Sequence, residues 1–171
     1  LALTEGTAND WLALALIDGH RVEPWVGVSG FALFVGAMTV GRLVGPVVLE
    51  RFGRVPVLRG TMFAAGAGVL LIVFGGQPVP VALGVVLWGL GASLGFPVGI
   101  SAASDDPVHA AARVSVVSTI AYTAFLAGPP LLGFVADHVG TLRSLLVVAL
   151  LLVPSLLVAS SARERHGSHR R

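Results

Sequence analysis

The stretch Pro80–Ala103, PVALGVVLWGLGASLGFPVGISAA, contains no charged side chain. At about 1.5 Å of rise per helical residue it is long enough to cross hydrocarbon about 30 Å thick, for which about 20 residues suffice. Similar runs lie on either side: 25–49 and 57–76 before it, 113–136 and 142–160 after it, with an incomplete run over 1–17. Short polar loops separate them. This spacing predicts an all-α, polytopic membrane helix bundle of six spans, the first cut short, followed by a charged tail over 163–171.

Composition excludes the alternatives. With 55% hydrophobic residues, 12% charged residues and a mean hydropathy of +0.88, the chain cannot cover a soluble core with a polar skin. Helices in lipid associate through close packing and hydrogen bonds, a need that the 22 glycines suit. There is no cysteine, hence no disulfide framework and no thiolate nucleophile. Residues 1–17 carry Glu5 and Asp10 and no leading arginine, so they do not read as a cleavable signal.

All eleven basic residues are arginine, and they sort by side. Arg42, Arg51, Arg54, Arg59, Arg113, Arg163, Arg165, Arg170 and Arg171 fall on one side of the bundle, and Arg21 and Arg143 on the other. Such charge reads as topology rather than as a nucleic-acid surface. Short cytoplasmic loops collect arginine, so the C-terminus is expected in the cytoplasm and the protein in the cell membrane.

Several residues stand out within the runs. Gly91, Gly95 and Gly99 recur every four residues, a face without side chains that suits close helix approach, and Gly41 with Gly45 repeats it. Ser115, Thr119 and Tyr122 share a helix face, with Ser118 beside them; the stripe serves either interhelical hydrogen bonds or the wall of a solute cavity. Gly128-Pro129-Pro130 is expected to bend or break its helix, and Asp106-Pro107 to start one.

Glu5 is the most suggestive single residue, because a carboxylate at the centre of a span costs about 2.5 kcal/mol or more and usually marks a proton or substrate site. Asn9 lies one turn away on the same face. Arg42, inside the second run, is expected to snorkel or pair with Glu50, or else to form a gate contact. Trp88, Phe96 and Phe125 serve either as packing aromatics or as the lining of a cavity. The five histidines lie in loops or the tail and form no metal cluster. No phosphate-cradling loop, nucleophile elbow or zinc spacing occurs, so neither enzyme chemistry nor a cofactor is expected.

Two loops carry a family resemblance. Gly133-Phe134-Val135-Ala136-Asp137-His138-Val139-Gly140 and Glu50-Arg51-Phe52-Gly53-Arg54 resemble the loop signature of the major facilitator superfamily, in which a glycine, an acidic residue four later, a basic residue and a glycine link paired helices. The first copy departs from it, with Pro46 at the expected glycine and Gly45 one residue early. The stretches 89–97 and 122–133 are similar to the tenth and eleventh helices of bacterial members, and 5–11 to the seventh helix of one subgroup.

The resemblance implies the C-terminal six of twelve helices. It further implies a small-molecule substrate moved by alternating access, and an N-terminal half as partner in the bilayer. The conformational loops would then involve Arg42, Glu50, Arg51, Gly53, Arg54, Gly133, Asp137 and Gly140. The competing class is a truncated product, or a membrane scaffold that pairs with another helical protein through its glycine faces.

Overall fold

The structure is a computed structural model that describes residues 2–159. The tail over 163–171, with Arg163, Arg165, Arg170 and Arg171, lies outside the described residues. Among the described residues eight helices follow one another: α1 (Ala2–His20), α2 (Pro24–Phe52), α3 (Arg54–Phe74), α4 (Pro78–Ala92), α5 (Gly95–Ala103), α6 (Ala110–Val139), α7 (Thr141–Ser144) and α8 (Leu146–Val158). They form a membrane helix bundle. Four helical segments are long and apolar enough to cross a membrane: Pro24–Phe52, Arg54–Phe74, Pro78–Ala103 and Ala110–Val139; Thr141–Leu157 is a shorter apolar helix. The first helix is not among them and carries three carboxylates, Glu5, Asp10 and Asp18.

Proline and glycine set the helix ends. Pro24 opens α2 and Pro78 opens α4, where a missing amide hydrogen costs nothing. Gly53 ends α2 and begins α3 at φ +78°, ψ 166°; Gly140 joins α6 to α7 at φ +86°, ψ 154°. Each donates its amide hydrogen to the carbonyl four residues back, Leu49 and Ala136, at 2.8 Å. That backbone region is essentially open to glycine alone. Gly53→Ala and Gly140→Ala should therefore each cost about 1–3 kcal/mol. Thermal melting in detergent checks this, and an unshifted melt would show that the turn relaxes freely.

Three local expectations meet a different outcome. The helix expected from Asp106 begins at Ala110, because Asp106 closes a turn: its Oδ1 accepts the Val108 amide at 3.1 Å and its carbonyl the His109 amide at 3.2 Å. Pro129 and Pro130 do not interrupt α6, which continues to Val139. Neighbouring chain holds that segment, with buried Gly128 facing Leu3 and Thr7 of α1. Conversely, the fourth apolar run is divided at Ser93-Leu94 into α4 and α5. Pro97 has no amide hydrogen to return to the Ser93 carbonyl, so the hydrogen-bond ladder lapses there.

The closest packing joins α3 to α4. A Cβ on Gly68 would lie 2.6 Å from the Trp88 amide nitrogen, and one on Gly84 2.6 Å from the Gly68 carbonyl oxygen. Trp88 is fully buried and meets Phe34 of α2 edge-on at 5.6 Å. The core continues through Leu12, Met62, Val69, Ile72, Leu132 and Val148.

Contacts between loops identify the two ends of the bundle. At one end Arg54 meets Asp105; at the other Thr141 donates to Asp18 at 3.4 Å, and His20 Nε2 lies 2.8 Å from the Ile72 carbonyl oxygen.

Candidate functional site

The helices α1 and α2 run antiparallel across a short turn at Arg21, a non-glycine residue at φ +53°. That arrangement brings Glu5 level with Arg42. The Arg42 Nη2 donates to Glu5 Oε1 at 2.9 Å, and its Nε donates to the Ser93 carbonyl at 3.3 Å. Arg42 thus pairs across to α1 rather than with Glu50 on its own helix. By helical rise it lies about 15 Å from the Phe52 end of α2 and about 6 Å from its midpoint. The pair is therefore inside the span.

The Ser93 carbonyl is the one that Pro97 leaves without a helical donor, and Arg42 supplies the replacement. Ser93 also turns its own hydroxyl onto the Leu90 carbonyl at 2.6 Å. Gly41 and Gly45 make room for the break: side chains there would collide with Ser93 and Leu94. The arginine side chain is 43% exposed and Glu5 is 21% exposed, so the pair sits on a flank of the bundle.

Other candidates are distributed around that flank and beyond it. Asn9 and Asp10 are exposed on α1. Ser115, Thr119 and Tyr122 all lie on the exposed side of α6, and Thr119 donates to the Ser115 carbonyl at 2.8 Å. Tyr122 stands 6.5 Å from Phe96, ring centre to ring centre. A groove of about 1100 Å³ opens between α1, α3, α5, α6 and α8, with Met62, Phe96, Ile120, Leu151, Arg113 and His109 among its walls. Glu5, Asn9, Ser115, Thr119 and Tyr122 are not among them.

The glycine stripe serves different neighbours at its two ends. A Cβ on Gly91 would run into the backbone of Thr61 and Ala65 on α3, whereas one on Gly99 would touch only Val117 on α6, at 3.8 Å. Gly95 opens α5 and borders the groove.

The two loop motifs occupy opposite ends. Arg54 forks onto both carboxylate oxygens of Asp105, with its Nη2 2.9 Å from the Ser101 hydroxyl, which ties α3 to the α5–α6 loop. Asp105 and Ser101 were not picked out from the sequence, although Asp105 lies in a loop on the arginine-rich side. Arg51 stacks over Phe52 at 5.5 Å, and Glu50 is exposed. Gly133 lies against Trp11 of α1, where a Cβ would be 3.5 Å from the indole, and Asp137 is exposed.

In the turn before α6 the Asp106 carboxylate meets His109 at 3.1 Å and Arg113 at 3.2 Å. The His109 hydrogen bond chiefly holds its pKa below the ordinary aspartate value, with the Val108 amide and Arg113 adding to it against a desolvation that raises it. A lowered aspartate loses its contribution only as pH falls through the lowered value, so these contacts persist at neutral pH.

Sequence comparison agrees with this architecture. Residues 25–170 match the Major Facilitator Superfamily. An uncharacterized MFS-type transporter of Yersinia pestis is 35% identical over 162 residues, 94% of this chain and 41% of that protein. An uncharacterized transporter, y4wD, of Sinorhizobium fredii is 37% identical over 136 residues, 79% of this chain and 36% of its own length. The membrane protein MosC of Rhizobium meliloti is 32% identical over 147 residues, 85% of this chain and 36% of that one. The chain thus spans about two fifths of the length of these curated relatives. No solved structure matches. A bundle of apolar helices joined at matching glycine turns, with these relatives, makes the chain a member of the Major Facilitator Superfamily, a transporter family of the membrane rather than an enzyme.

Proposed function

We propose that this chain supplies the C-terminal six helices of a secondary transporter in the cell membrane, which moves a small solute by alternating access and couples that movement to protons through Glu5. The observation that carries this reading is the Glu5–Arg42 pair, charged, inside the span and on a flank of the bundle. An ion pair at that depth is costly unless it serves transport or is covered by more protein. An N-terminal half would cover it. Asn9, Ser115, Thr119 and Tyr122 would complete the cavity wall between the halves. The arginine-rich end with Arg51, Arg54, Arg59 and Arg113 would then face the cytoplasm, as would the tail.

Glu5→Gln in the full-length protein, reconstituted in liposomes, should abolish uptake driven by a pH gradient while solute exchange without a gradient continues. Retention of pH-dependent uptake would rule out Glu5 as the proton carrier.

A further inference from the structure

We propose that Arg42 receives a carboxylate group of the solute, taking it in exchange for Glu5 when Glu5 acquires a proton. This rests on the transport reading and adds the chemical class of the cargo.

The geometry separates the roles of the two partners. Arg42 has two anchors, the Ser93 carbonyl on Nε and Glu5 on Nη2, and its other N–H donors make no hydrogen bond among the described residues. The first anchor is uncharged backbone made available by Pro97, and it stays whatever Glu5 does. An arginine cannot shed its proton in a protein. Once Glu5 is protonated, a positive charge therefore remains on the flank, about 6 Å from the midpoint of α2, held in place and without a counter-charge. A planar fork of donors facing outward matches a carboxylate in two-point fashion.

Charge balance then links proton and solute. In the empty site Arg42 is +1 and Glu5 is −1; in the loaded site Arg42 is +1, Glu5 is neutral and the solute carboxylate is −1. Glu5 takes its proton from water and returns it on the opposite side as it pairs again with Arg42. The site is neutral in both the empty and the loaded state, and one proton accompanies one negative charge.

The neighbouring helices offer no substitute for Glu5. Both α4 and α5 lack titratable side chains, as does α8. Asp10 is the next acid along α1, Glu50 is about two turns further along α2, α3 contributes Arg54 and Arg59, and α7 contributes Arg143 at the far end. The titratable groups of α6 are Arg113, Tyr122, Asp137 and His138.

Acetate, which reproduces the Glu5 carboxylate, is the probe. In calorimetric titrations of the full-length protein in detergent between pH 6 and 8, in two buffers of different ionisation enthalpy, wild-type protein should take up protons as acetate binds, with affinity falling as pH rises. Glu5→Ala should bind acetate with flat pH dependence and no proton uptake. Arg42→Gln should show no saturable binding, and Arg42→Lys should keep a weakened form of it, both with cooperative melts. The proposal is overturned by acetate binding that survives Arg42→Gln, by wild-type binding without proton uptake, or by a folded Glu5→Ala protein that binds none. The transport reading fails separately, if wild-type protein in liposomes takes up no solute under any gradient.

Discussion

Gly68→Leu should part α3 from α4 and lower the melting temperature clearly. The Cα of Gly68 faces backbone, not flexible side chains: an added Cβ would sit 2.6 Å from the Trp88 nitrogen and 3.1 Å from its Cα. Gly84 presses back on Gly68 from α4, and Gly91 sits equally close to Ala65 one level on. Neither helix can yield locally, so both must move apart along their length. Overpacking usually costs about 1–3 kcal/mol, and a leucine forced against backbone belongs at the top of that range. For a chain of this length about 3 kcal/mol corresponds to roughly a 10 °C loss in melting temperature. Gly36→Leu and Gly60→Leu are matched controls, since nothing lies within 4 Å of a Cβ at either site; both should melt like wild type. An unchanged melt for Gly68→Leu would mean that α3 and α4 do not cross there.

Arg42→Leu should have the largest effect on transport. It strands the Glu5 carboxylate inside the span and at the same time removes the donor from the Ser93 carbonyl. Removing one partner of a buried pair costs about 3–5 kcal/mol; with Arg42 43% exposed, about 2 kcal/mol is the reasonable expectation. Uptake by the full-length protein should fall by about 100-fold or more, equivalent to roughly 2.7 kcal/mol in the transport step. The double variant Glu5→Leu with Arg42→Leu should recover most of the stability, because an apolar pair leaves no buried charge, and none of the transport. Melting curves and liposome uptake on wild type, Arg42→Leu and the double variant separate the two effects. Wild-type uptake by Arg42→Leu would show that the pair only holds α1 to α2.

Apolar length was enough to read the helical bundle, since it follows directly from the cost of placing charge and unpaired backbone in lipid. Partners across helices were not legible. Arg42 has Glu50 two turns away on its own helix, and nothing in a single chain says that α1 will bring Glu5, 37 positions distant, to its side. Ser115, Thr119 and Tyr122 do share a face, yet periodicity cannot tell an outward face from an inward one. The division of the fourth span was legible in principle: Pro97 withdraws a donor from Ser93. Gly91, Gly95 and Gly99 are spaced as on one continuous helix face and so do not report the break. Pro129 and Pro130 illustrate the opposite case, where surrounding chain holds a helix that local chemistry would end.

The divided span has a mechanical consequence. Its α4 half is wedged against α2 and α3, while its α5 half lies against α6 and touches α3. One membrane crossing is thus shared between two neighbourhoods, with its joint at Ser93-Leu94. Arg42 holds the Ser93 carbonyl at that joint and Glu5 of α1 with the same guanidinium, so the break in the fourth span is tied through one side chain to the first helix.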